Sequence, residues 1–99
     1  MDIQEQKNAD SYLLQVKGRL DTTTAPELES KIKEVARKTK HLILNLSEIE
    51  YISSAGLRVV LQAHKIMASN HAKMSVQNPS DFCKQVLEAT GMDAVLSII

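Results

Sequence analysis

The segment His41-Leu-Ile-Leu-Asn-Leu-Ser47 restricts the fold of this chain more than any other stretch. On an extended backbone Leu42, Leu44 and Leu46 fall on one side and Ile43 on the other. Such a strand is either covered on both faces or central in its sheet. Its neighbours must come from within one domain, because a chain of 99 residues builds one core and little more. We therefore treat residues 1–99 as a single domain.

Partners for that strand are legible on both sides. Ser11 to Lys17 alternates Tyr12, Leu14 and Val16 with Ser11, Gln15 and Lys17, the period of a half-buried strand. Ile3 to Gln6 is a second candidate, and Asn8-Ala9-Asp10 between them predicts a hairpin turn. Gly18-Arg19-Leu20-Asp21 predicts a loop leaving the sheet. In Thr24-Ala25-Pro26-Glu27 the threonine is expected to cap a helix, with Pro26 in its first turn and Glu27 completing a capping box. Ala25, Leu28, Ile32, Val35 and Ala36 recur at helical spacing, and the helix is expected to end near Thr39.

Beyond the leucine-rich strand, Ser47 to Tyr51 is expected to connect to a second helix, from about Ala55 to Asn70. That helix would bury Leu57, Val60, Leu61, His64 and Met67. Lys73 to Gln77 predicts a short strand. Asn78-Pro79 supplies a cap and a first-turn proline for a third helix carrying Phe82, Val86 and Leu87, and Gly91 a left-handed stop. Val95 to Ile99 reads as a last short strand or helix. The order β-β-α-β-α-β-α predicts an α/β domain: a mixed, mostly parallel sheet with an antiparallel N-terminal edge hairpin, packed against helices through right-handed crossovers.

Composition removes several functions. Twelve basic residues balance twelve acidic ones, and one Phe, two Tyr and no Trp offer neither the basic footprint nor the stacking platform of a nucleic-acid binder. No apolar run approaches the roughly 20 residues of a membrane span, so no membrane insertion is expected. The opening MDIQEQKNAD is polar and acidic, unlike a secretory signal, and the single Cys83 suits a reducing cytosol. His41, His64 and His71 show no ligand spacing with Cys83, and Gly18, Gly56 and Gly91 are isolated. Neither a metal site, nor a phosphate-cradling loop, nor any other cofactor is expected.

The chemistry concentrates in Ile52-Ser-Ser-Ala-Gly-Leu57. One of its hydroxyls can cap the second helix, act as a nucleophile, or accept a modification. A nucleophile elbow needs glycine two positions before the serine, where Ile52 precedes Ser54. Its imagined partners are Asp21 and His64, and His64 lies on an apolar stripe that explains it as packing. Capping and modification both stay open on the residues alone; small Ala55 and Gly56 clear the space a modifying enzyme needs.

Three segments carry a resemblance. VKGRLDTTTAPELE, LILNLSEIEYISSAGLRVVL and VLEATGMDAVLSI, in that order and over nearly the whole chain, resemble the STAS domain, in particular the bacterial anti-sigma factor antagonists. The resemblance implies a cytoplasmic partner-switching module that is not itself an enzyme. It implies binding, while unphosphorylated, to an anti-sigma factor serine kinase, release on phosphorylation, and resetting by a serine phosphatase. By position the implied acceptor is Ser54, with Gly56 two residues on. The implied contact surface comprises Asp21, Thr22, Thr23, Thr24, Ser53, Ala55, Gly56 and Arg58. Asp21 fits equally a turn that its own carboxylate caps. Ser53 stands where that family usually has Asp, and Arg58 where it often has Gly. Arg58 reads either as a solvated side chain or as a contact to a partner or to a phosphate on Ser54. The alternative implied role is a non-phosphorylated STAS subunit of a lipid-transport or membrane-transporter assembly.

Overall fold

Leucine at alternate positions puts β3 (His41–Ile52) in the middle of a five-stranded sheet of order β1-β2-β3-β4-β5. A computed structural model describes all residues, 1–99. β1 (Asp2–Lys7) runs antiparallel to β2 (Tyr12–Leu20) through the expected turn, where Asn8 N–H donates to the Ser11 carbonyl at 2.9 Å. β2 and β3, β3 and β4 (Lys73–Gln77), and β4 and β5 (Ser97–Ile98) are parallel. Leu14, Val16, Leu42, Leu44, Leu46, Met74 and Val76 share the buried face, while Leu13, Gln15, Ile43, Asn45 and Gln77 line the other, half-buried. The central placement, not a cover on both sides, accounts for the leucine run.

β3 differs from expectation in its length. It does not stop at Ser47 but continues to Ile52, and β2 runs past Lys17 to Leu20, pairing Gly18 with Ile49, Arg19 with Tyr51 and Leu20 with Ile52. Two register shifts, between Gln15 and Lys17 and between Gly18 and Arg19, each leave one extra residue in β3. The shifts break the alternation that marks a strand, so Ser47 to Tyr51 resembles a connection while Ile49 and Ile52 are buried.

Helix α1 (Ala25–Val35) ends four residues before Thr39, in a turn where Ala36 N–H donates to the Ile32 carbonyl and Lys38 N–H to that of Val35. It buries Ala25, Leu28, Ile32 and Val35 and is tied to β1 by Lys31 Nζ, 2.7 Å from Glu5 Oε2. Helix α2 (Ser54–Ser69) starts one residue early and buries Gly56, Val59, Val60, Ala63 and Met67. Leu57, Leu61 and His64 are only half-buried: the inward stripe is centred on the glycine, and the expected one was turned by one residue. Helix α3 (Asp81–Ala89) is capped by Ser80, whose hydroxyl accepts from Cys83 N–H at 3.2 Å, not by Asn78-Pro79. Asn78 instead adopts φ +47°, a left-handed turn out of β4. α3 buries Cys83 and Leu87 but leaves Phe82 41% exposed. Gly91, at φ +75°, ends it as expected, a single 3-10 turn (Met92–Ala94) follows, and the C-terminal apolar stretch resolves into β5.

Candidate functional site

The parallel strands β2 and β3 both end, at Leu20 and Ile52, on the rim where the loops to α1 and α2 begin. Ligands and partners of open α/β sheets meet the protein at this end. The two loops are joined here by backbone: Ser53 N–H donates to the Leu20 carbonyl at 2.9 Å. The first turn of α2 sits directly on the end of β2. A methyl group added at Gly56 would stand 2.7 Å from Leu20 Cγ, 2.8 Å from the Leu20 carbonyl oxygen and 3.0 Å from Ile52 Cγ1. No side chain fits, so glycine is required by proximity and not by conformation.

The two serines divide the roles that the sequence left open. Ser53, with extended backbone at φ −97°, ψ 177°, is the N-cap: its hydroxyl accepts from Gly56 N–H at 3.4 Å and its carbonyl from Leu57 N–H at 2.9 Å. Ser54, the first residue of α2, is exposed, and its hydroxyl makes no hydrogen bond within the chain. No acidic residue occupies the first turn of α2. A negative charge at that position would therefore meet the helix dipole and no like charge on its own turn.

Across the joint, residues 21–24 form a tight turn that the carboxylate of Asp21 holds together. Its Oδ1 accepts from Thr23 N–H at 3.0 Å and Thr24 N–H at 3.2 Å, and the Asp21 carbonyl accepts from Ala25 N–H at 2.8 Å. The Thr24 N–H, with that of Thr23, holds the Asp21 carboxyl below the usual carboxylate range. Thr24 does not cap α1 as expected. Its hydroxyl faces backwards, donating to the Arg19 carbonyl at 2.7 Å and accepting from Asp21 N–H at 2.9 Å. α1 therefore starts without a side-chain cap, and the turn before it is a local Asx structure that leaves Thr22 and Thr23 exposed on the rim. The structure thus brings the 21–24 turn and residues 53–56 together, with Ala55 half-buried and Arg58 exposed one turn further along α2.

One feature of the rim escapes sequence reasoning. The Arg19 guanidinium lies 4.3 Å from the centroid of the Tyr51 ring, and Tyr51 meets Phe82 at a centroid distance of 5.4 Å and an angle of 41°. Arg19 Nε also stands 3.7 Å from Asp21 Oδ2. Arg19, Tyr51 and Phe82 come from β2, β3 and α3, so no local pattern in the sequence points to the row.

Hydrolytic chemistry finds no constellation. His64 lies ten residues beyond Ser54 on the same helix, about 15 Å of rise, beside Ala68, Met74 and Leu96. Asp21 is engaged in its own turn. No group of three or more His, Cys, Asp or Glu side chains is arranged to hold a metal ion. No helix is long and apolar enough to cross a membrane.

Comparison with known proteins agrees with this architecture. The family model described as STAS domain matches residues 1–99. The anti-sigma-B factor antagonist of Staphylococcus aureus is 27% identical over 88 residues, which are 88% of this chain and 82% of that protein. Among solved structures, an anti-sigma factor antagonist from Mycobacterium paratuberculosis superposes with a TM-score of 0.88 at 21% identity, over 98% of this chain and 83% of that one. The Bacillus cell fate determinant SpoIIAA, in its phosphorylated form, gives 0.77 at 17% identity, over 99% and 91%.

Proposed function

The chain belongs to the STAS domain family, and from that premise we propose that it is an anti-sigma factor antagonist of the cytoplasm, switched by phosphorylation of Ser54. In this reading it is a binding module without catalysis of its own. Unphosphorylated, it docks an anti-sigma factor serine kinase through Asp21, Thr22, Thr23, Thr24, Ser53, Ala55 and Arg58, and so frees the sigma factor; Gly56, buried against Leu20, seats that surface from beneath. The observation that carries the reading is the division of labour at residues 53 and 54. Ser53 caps the helix, and Ser54 presents an exposed hydroxyl with no bond to lose.

The kinase transfers the γ-phosphoryl group of ATP to Ser54 Oγ. The Oγ–P bond forms, the bond from the γ-phosphorus to the bridging oxygen of ADP breaks, and the hydroxyl proton passes to a base of the kinase. The product carries about −1.5 to −2 charges. Unpaired N–H groups in the first turn of α2 hold that anion, so the domain itself need not rearrange. Against a partner surface shaped for a neutral hydroxyl, the same charge costs desolvation and repulsion. A loss of about 2.7 kcal/mol already weakens the complex a hundredfold. A serine phosphatase restores the hydroxyl. The phosphorylated form of SpoIIAA, a protein of the same fold, and the antagonist relative from S. aureus support this assignment.

The test is labelling by the cognate kinase and ATP, followed by mass fragmentation. One phosphate on Ser54, absent from Ser54→Ala, is expected. Equal labelling of Ser54→Ala overturns the assignment.

A further inference from the structure

Arg58 lies four residues after Ser54 on α2, is exposed, and takes part in none of the ion pairs of the chain. Positions i and i+4 share one helix face with Cβ atoms about 5–6 Å apart. Helical Cα–Cβ bonds tilt towards the N-terminus, so the long side chain of Arg58 leads back towards residue 54. Half-buried Ala55 and exposed Arg58 line one groove between α1 and α2, together with Glu29 and Lys65. The charged groups around this corner are already engaged or distant. Asp21 is held in its own turn, Glu29 faces Lys33 at 4.0 Å, and Lys65 lies two turns further along α2.

We propose that Arg58 is a clamp in cis for the phosphate on Ser54, an inference that rests on Ser54 being the modified residue. The order, anion first and cation four residues later, is the favourable one for a helical pair. A planar guanidinium also bonds two phosphate oxygens at once, where an ammonium acts as a point charge. One modification then alters two side chains of the contact surface. Residue 54 gains an anion, and residue 58 loses its free guanidinium to that anion. The surface offered to a partner changes sign at one position and loses a donor at another, with the backbone unmoved.

The test uses the full chain with phosphoserine encoded at position 54 during translation, titrated by phosphorus NMR. In wild type the second phosphate ionisation is expected about 0.2–0.4 pH unit below that of Arg58→Gln, with Arg58→Lys recovering part of the shift. The same midpoint in wild type and Arg58→Gln overturns the clamp. Because no kinase is involved, that result leaves the assignment of Ser54 standing. Failure of the kinase to label Ser54, in turn, leaves this titration intact.

Discussion

Replacing Gly56 with alanine tests the joint between β2 and α2 in a single atom. The added Cβ would meet Leu20 Cγ at 2.7 Å and the Leu20 carbonyl oxygen at 2.8 Å, closer than carbon approaches either without displacement. The oxygen is backbone and already accepts from Ser53 N–H, so it cannot turn away without breaking that bond. Overpacking of this kind costs about 1–3 kcal/mol. Alanine regains up to about 1 kcal/mol by its better helix propensity, less in a first turn. The net expectation is a loss of about 1–2 kcal/mol, which for a domain of this size lowers the melting temperature by roughly 4–16 °C. Urea unfolding should show the same loss as a lower midpoint at unchanged slope, since the surface exposed on unfolding is the same. Gly91→Ala is the contrasting case. Nothing lies within 4 Å of its added methyl, and only φ +75° opposes it, so it should lose about 1 kcal/mol. A Gly56→Ala protein as stable as wild type, or more so, would refute the argument that close approach fixes this residue.

Ser53→Ala should destabilise by about 0.5–1 kcal/mol through the lost cap, whereas Ser54→Ala should stay within about 0.5 kcal/mol of wild type in the same urea melts. Asp21 has a folded pKa below its unfolded value. Its contribution is therefore complete above the ordinary carboxylate pKa near 4 and fades as pH falls through the depressed one, so the stability gap between wild type and Asp21→Asn should narrow from about pH 6 to about pH 3. Cys83 is fully buried and burial pushes its thiol up to about 11. It should react with an aromatic disulfide reagent only as fast as the domain opens, and at once in denaturant.

The order of elements was legible because each declares itself locally. Alternation marks β2, a leucine run marks β3, and Gly91 closes α3. What escaped was set by contacts distant in sequence. The length of β3 depends on register shifts against β2, which disturb its alternation just where Ile49 and Ile52 turn inwards. The missing cap of α1 depends on a turn in which Asp21 collects the N–H groups of Thr23 and Thr24 while the Thr24 hydroxyl bonds back to Arg19. At the site, the pair of serines was legible as chemistry, but which one caps depends on where α2 starts. The Arg19, Tyr51 and Phe82 row joins three elements, and no spacing along the chain announces it.

The seat of α2 on β2 has a consequence for how such a domain can diversify. The Ser53 N–H to Leu20 bond and the bare Cα of Gly56 form a socket closed by main chain and by the buried side chains of Leu20 and Ile52. Residues 54 and 58 ride on it without holding it, so they are interchangeable at little cost to the scaffold. New allies can be acquired by altering those outward groups while the corner that displays them keeps its place.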